Sequence, residues 1–172
     1  MPGLIPLGSV RGIPIRAHWS VLLIAGLIAW GLAGQALPSQ VPGLEPALYW
    51  AAGSIAALAV LASLLAHELA HALVARREGH TVDDISLWLL GGVARIAGDA
   101  RTPGAEARIA GVGPLASLVL GGALGLVAVG LGLVPGGSLV RLAQAAVGWL
   151  ALVNVVLAVF NLLPGAPLDG GR

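Results

Sequence analysis

The stretch His67-Glu68-Leu69-Ala70-His71 lies inside an apolar run that begins at Pro46 and has no formal charge before Glu68. On an α-helix, residues four apart project from one face about one turn from each other, so both imidazoles can reach a single metal ion. The intervening glutamate is close enough to act on a water at that metal without binding the metal itself. Ionisable side chains are costly in a membrane-spanning segment, and three together need a compensating partner such as a metal. The stretch therefore predicts a metal site within a long apolar helix.

The composition around this stretch is that of a membrane protein. Apolar residues make up 58% of the chain and charged residues 10%, and the mean hydropathy is +0.94. Uncharged runs of about 18 or more residues indicate transmembrane helices. The net charge of +1 gives no reason to expect a nucleic-acid partner. Because cysteine is absent, disulfides and thiolate metal sites are excluded, and the ligands must be His, Asp or Glu.

The pattern predicts an all-α polytopic membrane protein that forms a single domain over residues 1–172, with about four transmembrane helices. The lead-in before Trp19 permits a short strand. Residues 85–96 read as a short membrane-associated β-hairpin between the second and third spans, with Gly91-Gly92 as its two-residue turn. The predicted spans are residues 19–37, 46–77, 109–134 and 142–163.

The arginines predict the orientation. They concentrate in the lead-in, in residues 76–108 and at the C-terminal end, whereas the loops after the first and third spans carry only Arg141. The positive-inside rule then places both termini in the cytoplasm, for a multi-pass protein of the plasma membrane. With four spans, the ends of the second and fourth lie on the same side. Asp169, after the fourth span, can therefore meet His67 and His71.

Catalytic zinc takes three protein ligands and leaves one position for water, so a third ligand is needed. The metzincin pattern fails, because Val74 and Arg77 stand where it requires glycine and histidine. Asp169 is set apart because it closes a long apolar segment, although Asp-Gly-Gly is also a good turn. The spacing alone leaves several candidates open: Asp83, Asp84, Asp99, Glu106, Asp169 and His80.

Residues 67–71, taken with residues 161–170 (NLLPGAPLDG), look like the paired signatures of the site-2 protease family of intramembrane zinc proteases. Residues 91–95 (GGVAR) and 113–117 (GPLAS) resemble that family's intervening stretches. The resemblance implies one zinc ion, Asp169 as its third ligand and Glu68 as the general base. It also implies that Asn161 lies near the active site and binds substrate, whereas packing between helices is its alternative role.

The interval between the two signatures is too short for a PDZ domain. The chain thus resembles the compact sporulation-type or CBS-domain-bearing branch of that family. Members of the CBS-bearing branch continue with further spans and a regulatory pair of CBS domains. We therefore expect residues 1–172 to be the transmembrane core of a protease whose regulatory domains lie beyond residue 172.

The expected function is hydrolysis of a peptide bond within or near the transmembrane segment of a membrane-protein substrate in the lipid bilayer. We expect the hairpin at Gly91 and Gly92 to offer a strand edge to the unwound substrate. One alternative is a membrane metal transporter, which would need a polar path on both sides of the site. Arg141 is the only charge in the outer halves of the spans, which disfavours it. Another is a catalytically silent membrane-binding protein, against which the intact Glu68 argues.

Overall fold

Four long helices dominate the structure, a computed structural model that describes residues 3–89, 91–97, 102–163 and 169. The first is composite: α1 (Val21–Gly31) continues through a π-helical turn (Leu32–Ala36) into α2 (Leu37–Gln40). The others are α3 (Pro46–Arg77), α4 (Pro103–Leu133) and α5 (Ser138–Asn161). All four are long and apolar enough to cross a membrane, which agrees with the prediction of a mostly helical fold with four such helices.

The third long helix begins at Pro103, six positions before the predicted start at residue 109. Thr102 caps this helix, since its Oγ1 accepts a hydrogen bond from the Ala105 amide at 3.2 Å. Proline in the first turn loses no helical hydrogen bond, and the acidic Glu106 suits the positive end of the helix dipole. Residues 103–108 therefore belong to the helix.

The prediction of an all-α fold is incomplete, because the chain also forms a four-stranded sheet in the order β1-β2-β3-β4. The strands are β1 (Leu4–Val10), β2 (Ile13–His18), β3 (Thr81–Trp88) and β4 (Gly91–Ala97). Strands β2 and β3 run parallel, and the two outer pairs are antiparallel. The lead-in thus forms two strands where one was predicted. Alternating apolar residues of β2 and β3 bury one face of the sheet against α3: Ile13, Ala17, Ile85 and Leu87.

The predicted hairpin is present, but its turn is not Gly91-Gly92. Trp88 pairs with Gly91 and Leu87 pairs with Gly92, so both glycines stand within the paired strands. Both glycines belong to the start of β4. A Cβ built on Gly92 would stand 2.8 Å from Cδ of Glu68, so the Glu68 side chain would have to move to accept it. Gly92 therefore marks a close approach of β4 to α3, whereas a Cβ on Gly91 would meet nothing within 4 Å.

Helix α3 is the centre of the structure and packs against α1, α4, α5 and the sheet. Its C-terminal end is tied to α4 by a bidentate ion pair, in which Arg108 donates to both carboxylate oxygens of Glu78 at 2.7 and 2.9 Å. The guanidinium hydrogen bonds hold the pKa of Glu78 below its ordinary value. This contact fixes the start of α4 beside the part of α3 that carries the two histidines of the motif.

Candidate metal centre

Three metal-binding atoms converge at one point of the structure. The Nε2 atoms of His67 and His71 are 3.1 Å apart, and each is 3.0 Å from Oδ2 of Asp169. The two histidines are buried, and the side chain of Asp169 is 15% exposed. Adjacent turns of α3 supply the histidines, and Asp169 comes from the segment beyond the end of α5. Of the candidate third ligands, the structure brings Asp169 to the histidine pair.

The other ring nitrogens of both histidines are held by α4. The Nδ1 atom of His71 lies 2.6 Å from the carbonyl oxygen of Ile109. A carbonyl only accepts hydrogen bonds, so Nδ1 carries the proton and the Nε2 lone pair of the neutral ring points at Asp169. The Nδ1 atom of His67 lies 2.9 Å from Oγ of Ser117, whose hydroxyl can accept in the same way. Such partners fix the tautomer and the ring orientation of metal-binding histidines.

The donor set fits a zinc ion. With both Nδ1 atoms protonated, two nitrogen lone pairs and a carboxylate oxygen face one another within 3.1 Å, and such an arrangement needs a cation between them. Zinc bonds of about 2.0–2.1 Å in a tetrahedron place the ligand atoms about 3.3 Å apart, close to the spacing found here. Nitrogen and carboxylate ligands are also the types that zinc accepts when thiolates are absent.

Asp169 is ionised in this arrangement. Burial acts to raise its pKa, but before a metal binds, doubly protonated rings that donate from Nε2 outweigh burial and hold the pKa well below the ordinary range; a bound metal takes the place of those protons. A carboxylate must be deprotonated to bind a metal. The site therefore presents its acidic ligand in the form that binding requires.

Glu68 lies beside the three converging atoms, between α3 and β4. Its side chain is half-buried, and it fills the space where a side chain on Gly92 would stand. The backbone of Ala94 also approaches the carboxylate. Strand β4 therefore restricts the position of the Glu68 side chain beside the two histidines.

Gly113 of α4 lies directly against the Nε2 atoms of the two histidines. A Cβ built there would overlap Nε2 of His71 and would stand 2.6 Å from Cε1 of His71 and 2.7 Å from Nε2 of His67. The next residue, Pro114, lies inside α4 and cannot donate to the carbonyl of Ala110. This turn of α4 thus combines a missing side chain with a missing hydrogen bond, directly against the metal-binding atoms.

Among the described residues, the other candidate ligands, including His80, do not join the cluster of His67, His71 and Asp169. Asp84 is buried in β3 and forms ion pairs with Arg16 at 3.5 Å and Arg95 at 3.4 Å. Asp83 is exposed on β3, and Glu106 lies in the first turn of α4. Asp99 lies outside the described residues. Asn161 ends α5 and donates to the Leu157 carbonyl at 2.9 Å, its only hydrogen bond among the described residues.

Sequence reasoning did not find Ser117, Gly113 or the Ile109 carbonyl as parts of the site. The stretch 113–117 stood out as a family-like segment, but nothing local showed what it contacts. The available signals were a serine in an otherwise apolar helix and a glycine followed by proline. Each of these is also compatible with ordinary helix packing.

Comparisons with known proteins place the chain among metalloproteases. Residues 55–136 and 132–172 match the sequence family described as Peptidase family M50. The chain is 49% identical over its whole length to the protein named "Putative zinc metalloprotease Rip3" of Mycobacterium tuberculosis. It is 43% identical over 98% of its length to the "Putative zinc metalloprotease sll0528" of Synechocystis sp.. The chain spans 43% and 42% of the lengths of these two relatives.

The fold has a counterpart among solved structures. The site-2 protease from Methanocaldococcus jannaschii matches with a TM-score of 0.62 and 30% sequence identity, over 98% of this chain and 68% of that one. These findings confirm the resemblance to the site-2 protease family, the assignment to the zinc metalloproteases and zinc as the cofactor. The chain belongs to peptidase family M50.

Proposed function

We propose that this chain is the transmembrane core of an intramembrane protease, which hydrolyses a peptide bond within or near the transmembrane segment of a membrane-protein substrate. One observation carries the proposal: His67, His71 and Asp169 converge within 3.1 Å in a bundle of four helices that are each long and apolar enough to cross a bilayer. A hydrolytic centre at such a place acts on peptide that is itself in the membrane.

The two histidines and Asp169 hold the zinc ion in this proposal. Zinc bound there supplies Lewis acidity, which activates water and polarises the scissile carbonyl. Ser117 and the Ile109 carbonyl keep the Nε2 atoms of the two rings directed at the metal position. The third protein ligand comes from beyond α5, so the site is complete only when α3 and α5 are correctly packed.

Glu68 is the general base. Its carboxylate accepts a proton from the attacking water and passes it to the nitrogen of the leaving amine, because that nitrogen must be protonated to depart. Glu68 is on the same helix as both histidines, and β4 restricts its side chain from the other side. It therefore needs little rearrangement before the proton transfer.

Strand β4 holds the substrate. It is the last strand of the sheet in the described part of the chain, so its outer edge offers backbone donors and acceptors. A transmembrane helix hides its peptide bonds in its own hydrogen bonds, and an unwound segment needs replacements in an apolar setting. Pairing with the edge at Gly91 and Gly92 supplies them beside Glu68. Asn161 supplies a further hydrogen bond to substrate.

The proposed location is the plasma membrane, with both termini and the opening of the site in the cytoplasm, as the arginine distribution implies. Residues 1–172 act as one catalytic core. Because the chain spans 43% of the length of Rip3, regulatory domains in the remainder of a longer protein are part of the proposal. The partners are then a transmembrane substrate, the lipid bilayer and those domains.

The test uses purified protein in liposomes, with zinc content and cleavage of transmembrane peptides measured on the same samples. Replacing His67, His71 or Asp169 with alanine should remove zinc. Glu68→Gln should keep zinc and lower the cleavage rate by about 10²–10⁴-fold, the usual contribution of a general base. Asp83→Ala, on an exposed acid of β3, is the matched control and should keep both. Full zinc content in Asp169→Ala, or normal cleavage by Glu68→Gln, would contradict the assignment.

A further inference from the structure

A cavity of about 190 Å³ lies between α1, α3, α5 and the tip of the β3–β4 hairpin. Its lining includes Ile24 of α1, Leu157 of α5, and Val60 and Leu64 of α3. Gly91 and the neighbouring end of the hairpin close one side. The amide of Leu89 donates to Oγ of Ser20 at 3.0 Å, which fixes the hairpin tip to the start of α1.

The cavity adjoins the catalytic glutamate. Leu64 lies one helical turn before Glu68 on the same face of α3, and side chains so related are about 5–6 Å apart at Cβ. On the hairpin, Gly91 of the cavity wall directly precedes Gly92, which contacts the Glu68 side chain. An extended peptide rises about 3.3 Å per residue. If the scissile bond of a substrate lies at Glu68, the cavity is therefore no more than about two residues away along the extended peptide. A side chain of one of those residues can enter it.

The lining of the cavity is mainly apolar. The hydroxyl of Ser63 donates to the Ala59 carbonyl at 2.9 Å and accepts from Nδ2 of Asn154 at 3.2 Å. That Nδ2 also donates to the Leu150 carbonyl. Oδ1 of Asn154 has no hydrogen-bond partner among the described residues, but it is buried and presents almost no surface. A water needs two to four polar partners, and an apolar cavity of about 150 Å³ stays dry and binds an apolar guest as large as benzene.

We propose that this cavity is a specificity pocket, which receives one medium-sized apolar side chain of the substrate (Val, Leu, Ile or Met) next to the scissile bond. The inference rests on the proposed function, since it assigns a subsite to that cleavage site. The pocket selects by size and by the exclusion of polar groups. In hydrophobic pockets a single methylene changes kcat/KM by about 10–200-fold, so the preference should be readily measurable.

The first experiment compares transmembrane peptides that carry Gly, Ala, Leu, Phe or Asn at each position near a mapped cleavage site. At one position, the wild-type protein should cleave the Leu peptide at least about tenfold faster than the Gly and Asn peptides. Val60→Phe fills the pocket and should shift the preference to Ala, whereas Leu157→Ala enlarges it and should shift the preference to Phe. Val156→Phe, on the exposed side of α5, is the matched control and should keep the wild-type order.

The second experiment does not depend on cleavage. The chain has no cysteine, so Val60→Cys introduces a single thiol into the lining of the cavity. In a Glu68→Gln background, a bifunctional thiol reagent should join it to peptides with a cysteine at one or two neighbouring positions, whereas Val156→Cys should show no such preference. Cleavage with unchanged side-chain preference, or cross-links spread evenly along the peptide, would overturn the pocket. If the wild-type protein cleaves no peptide while the Val60→Cys protein shows the position-specific cross-link, the proteolysis is overturned and the pocket is supported.

Discussion

Ser117 of α4 and His67 of α3 are fifty positions apart in the chain, yet Oγ of the serine lies 2.9 Å from Nδ1 of the histidine. Ser117 is 1% exposed, so solvent water cannot take over its hydrogen bond to His67. The contact directs the opposite ring nitrogen at the position where His71 and Asp169 also converge. A residue outside the recognised motif thereby controls the geometry of a ligand within it.

Ser117→Ala should weaken zinc binding by about 10–100-fold, the usual effect of losing a hydrogen-bond partner of a metal ligand. The measurement is competition with a chromophoric zinc chelator. Ser63→Ala is a matched control, because Ser63 is also buried in an apolar helix but bonds to Ala59 and Asn154. Equal zinc affinities for the two variants would show that Ser117 only packs between helices.

Gly113→Ala should abolish stoichiometric zinc binding. The added methyl group would overlap the Nε2 atom of His71 and crowd that of His67, so one ring must leave its position. Gly111→Ala in the same helix meets nothing within 4 Å and should keep its zinc. Each variant adds one methyl group to a glycine of the same helix. A difference in zinc content between them therefore cannot come from helix propensity. A normal zinc content in Gly113→Ala would mean that α4 can move away at no cost.

The sequence predicted those parts of the site that depend on regular geometry. The His67–His71 pair follows from helical periodicity. The number of spans places Asp169 on the side where α3 ends and so allows the meeting, but it leaves other candidates open, and the family resemblance is what singles out Asp169. Neither argument needs knowledge of how the helices pack. The meeting of Asp169 and His71, 98 positions apart, was therefore accessible before the fold was described.

The missed features depend on contacts between distant segments. The parallel pairing of Ile15 with Ile85 unites two pieces separated by two long helices, and no local pattern specifies it. Gly91-Gly92 suits both a tight turn and a close approach, and the choice between them depends on where the Glu68 side chain lies. Sequence periodicity reports which face of an element is apolar, but not which neighbour covers that face.

Gly92→Ala should separate zinc binding from hydrolysis. The new Cβ would stand 2.8 Å from Cδ and 2.9 Å from Oε1 of Glu68, so the carboxylate must move, whereas no metal-binding atom is among its nearest neighbours. We expect normal zinc content and a loss of cleavage approaching that of Glu68→Gln. Gly125→Ala, in open space on α4, should match the wild type in both measurements. Unimpaired cleavage by Gly92→Ala would show that Glu68 acts from another position.

The topology can be tested with single cysteines, since the chain has none. Gln40 and Arg141 line one cavity, so their neighbours Ser39 and Ser138 lie at the same end of the bundle. With both termini in the cytoplasm, Ser39→Cys and Ser138→Cys should react with an impermeant thiol reagent applied to intact cells. Thr81→Cys, exposed at the start of β3, should react only in inverted vesicles. The reverse pattern would overturn the orientation and the cytoplasmic opening of the site.

Strand addition at β4 predicts an alternating response to proline. Alternate amides of an edge strand face outward, and proline removes one such donor without breaking the pairing with β3 when it stands at an outward position. Single proline substitutions at Val93, Ala94 and Arg95 should therefore give two classes of variant, according to whether the lost amide faces outward or toward β3. Outward positions should keep folding and zinc content but lose cleavage, whereas inward positions should disrupt the sheet. If every variant that folds and binds zinc cleaves at the wild-type rate, the substrate does not pair with this edge, and β4 serves only to hold Glu68.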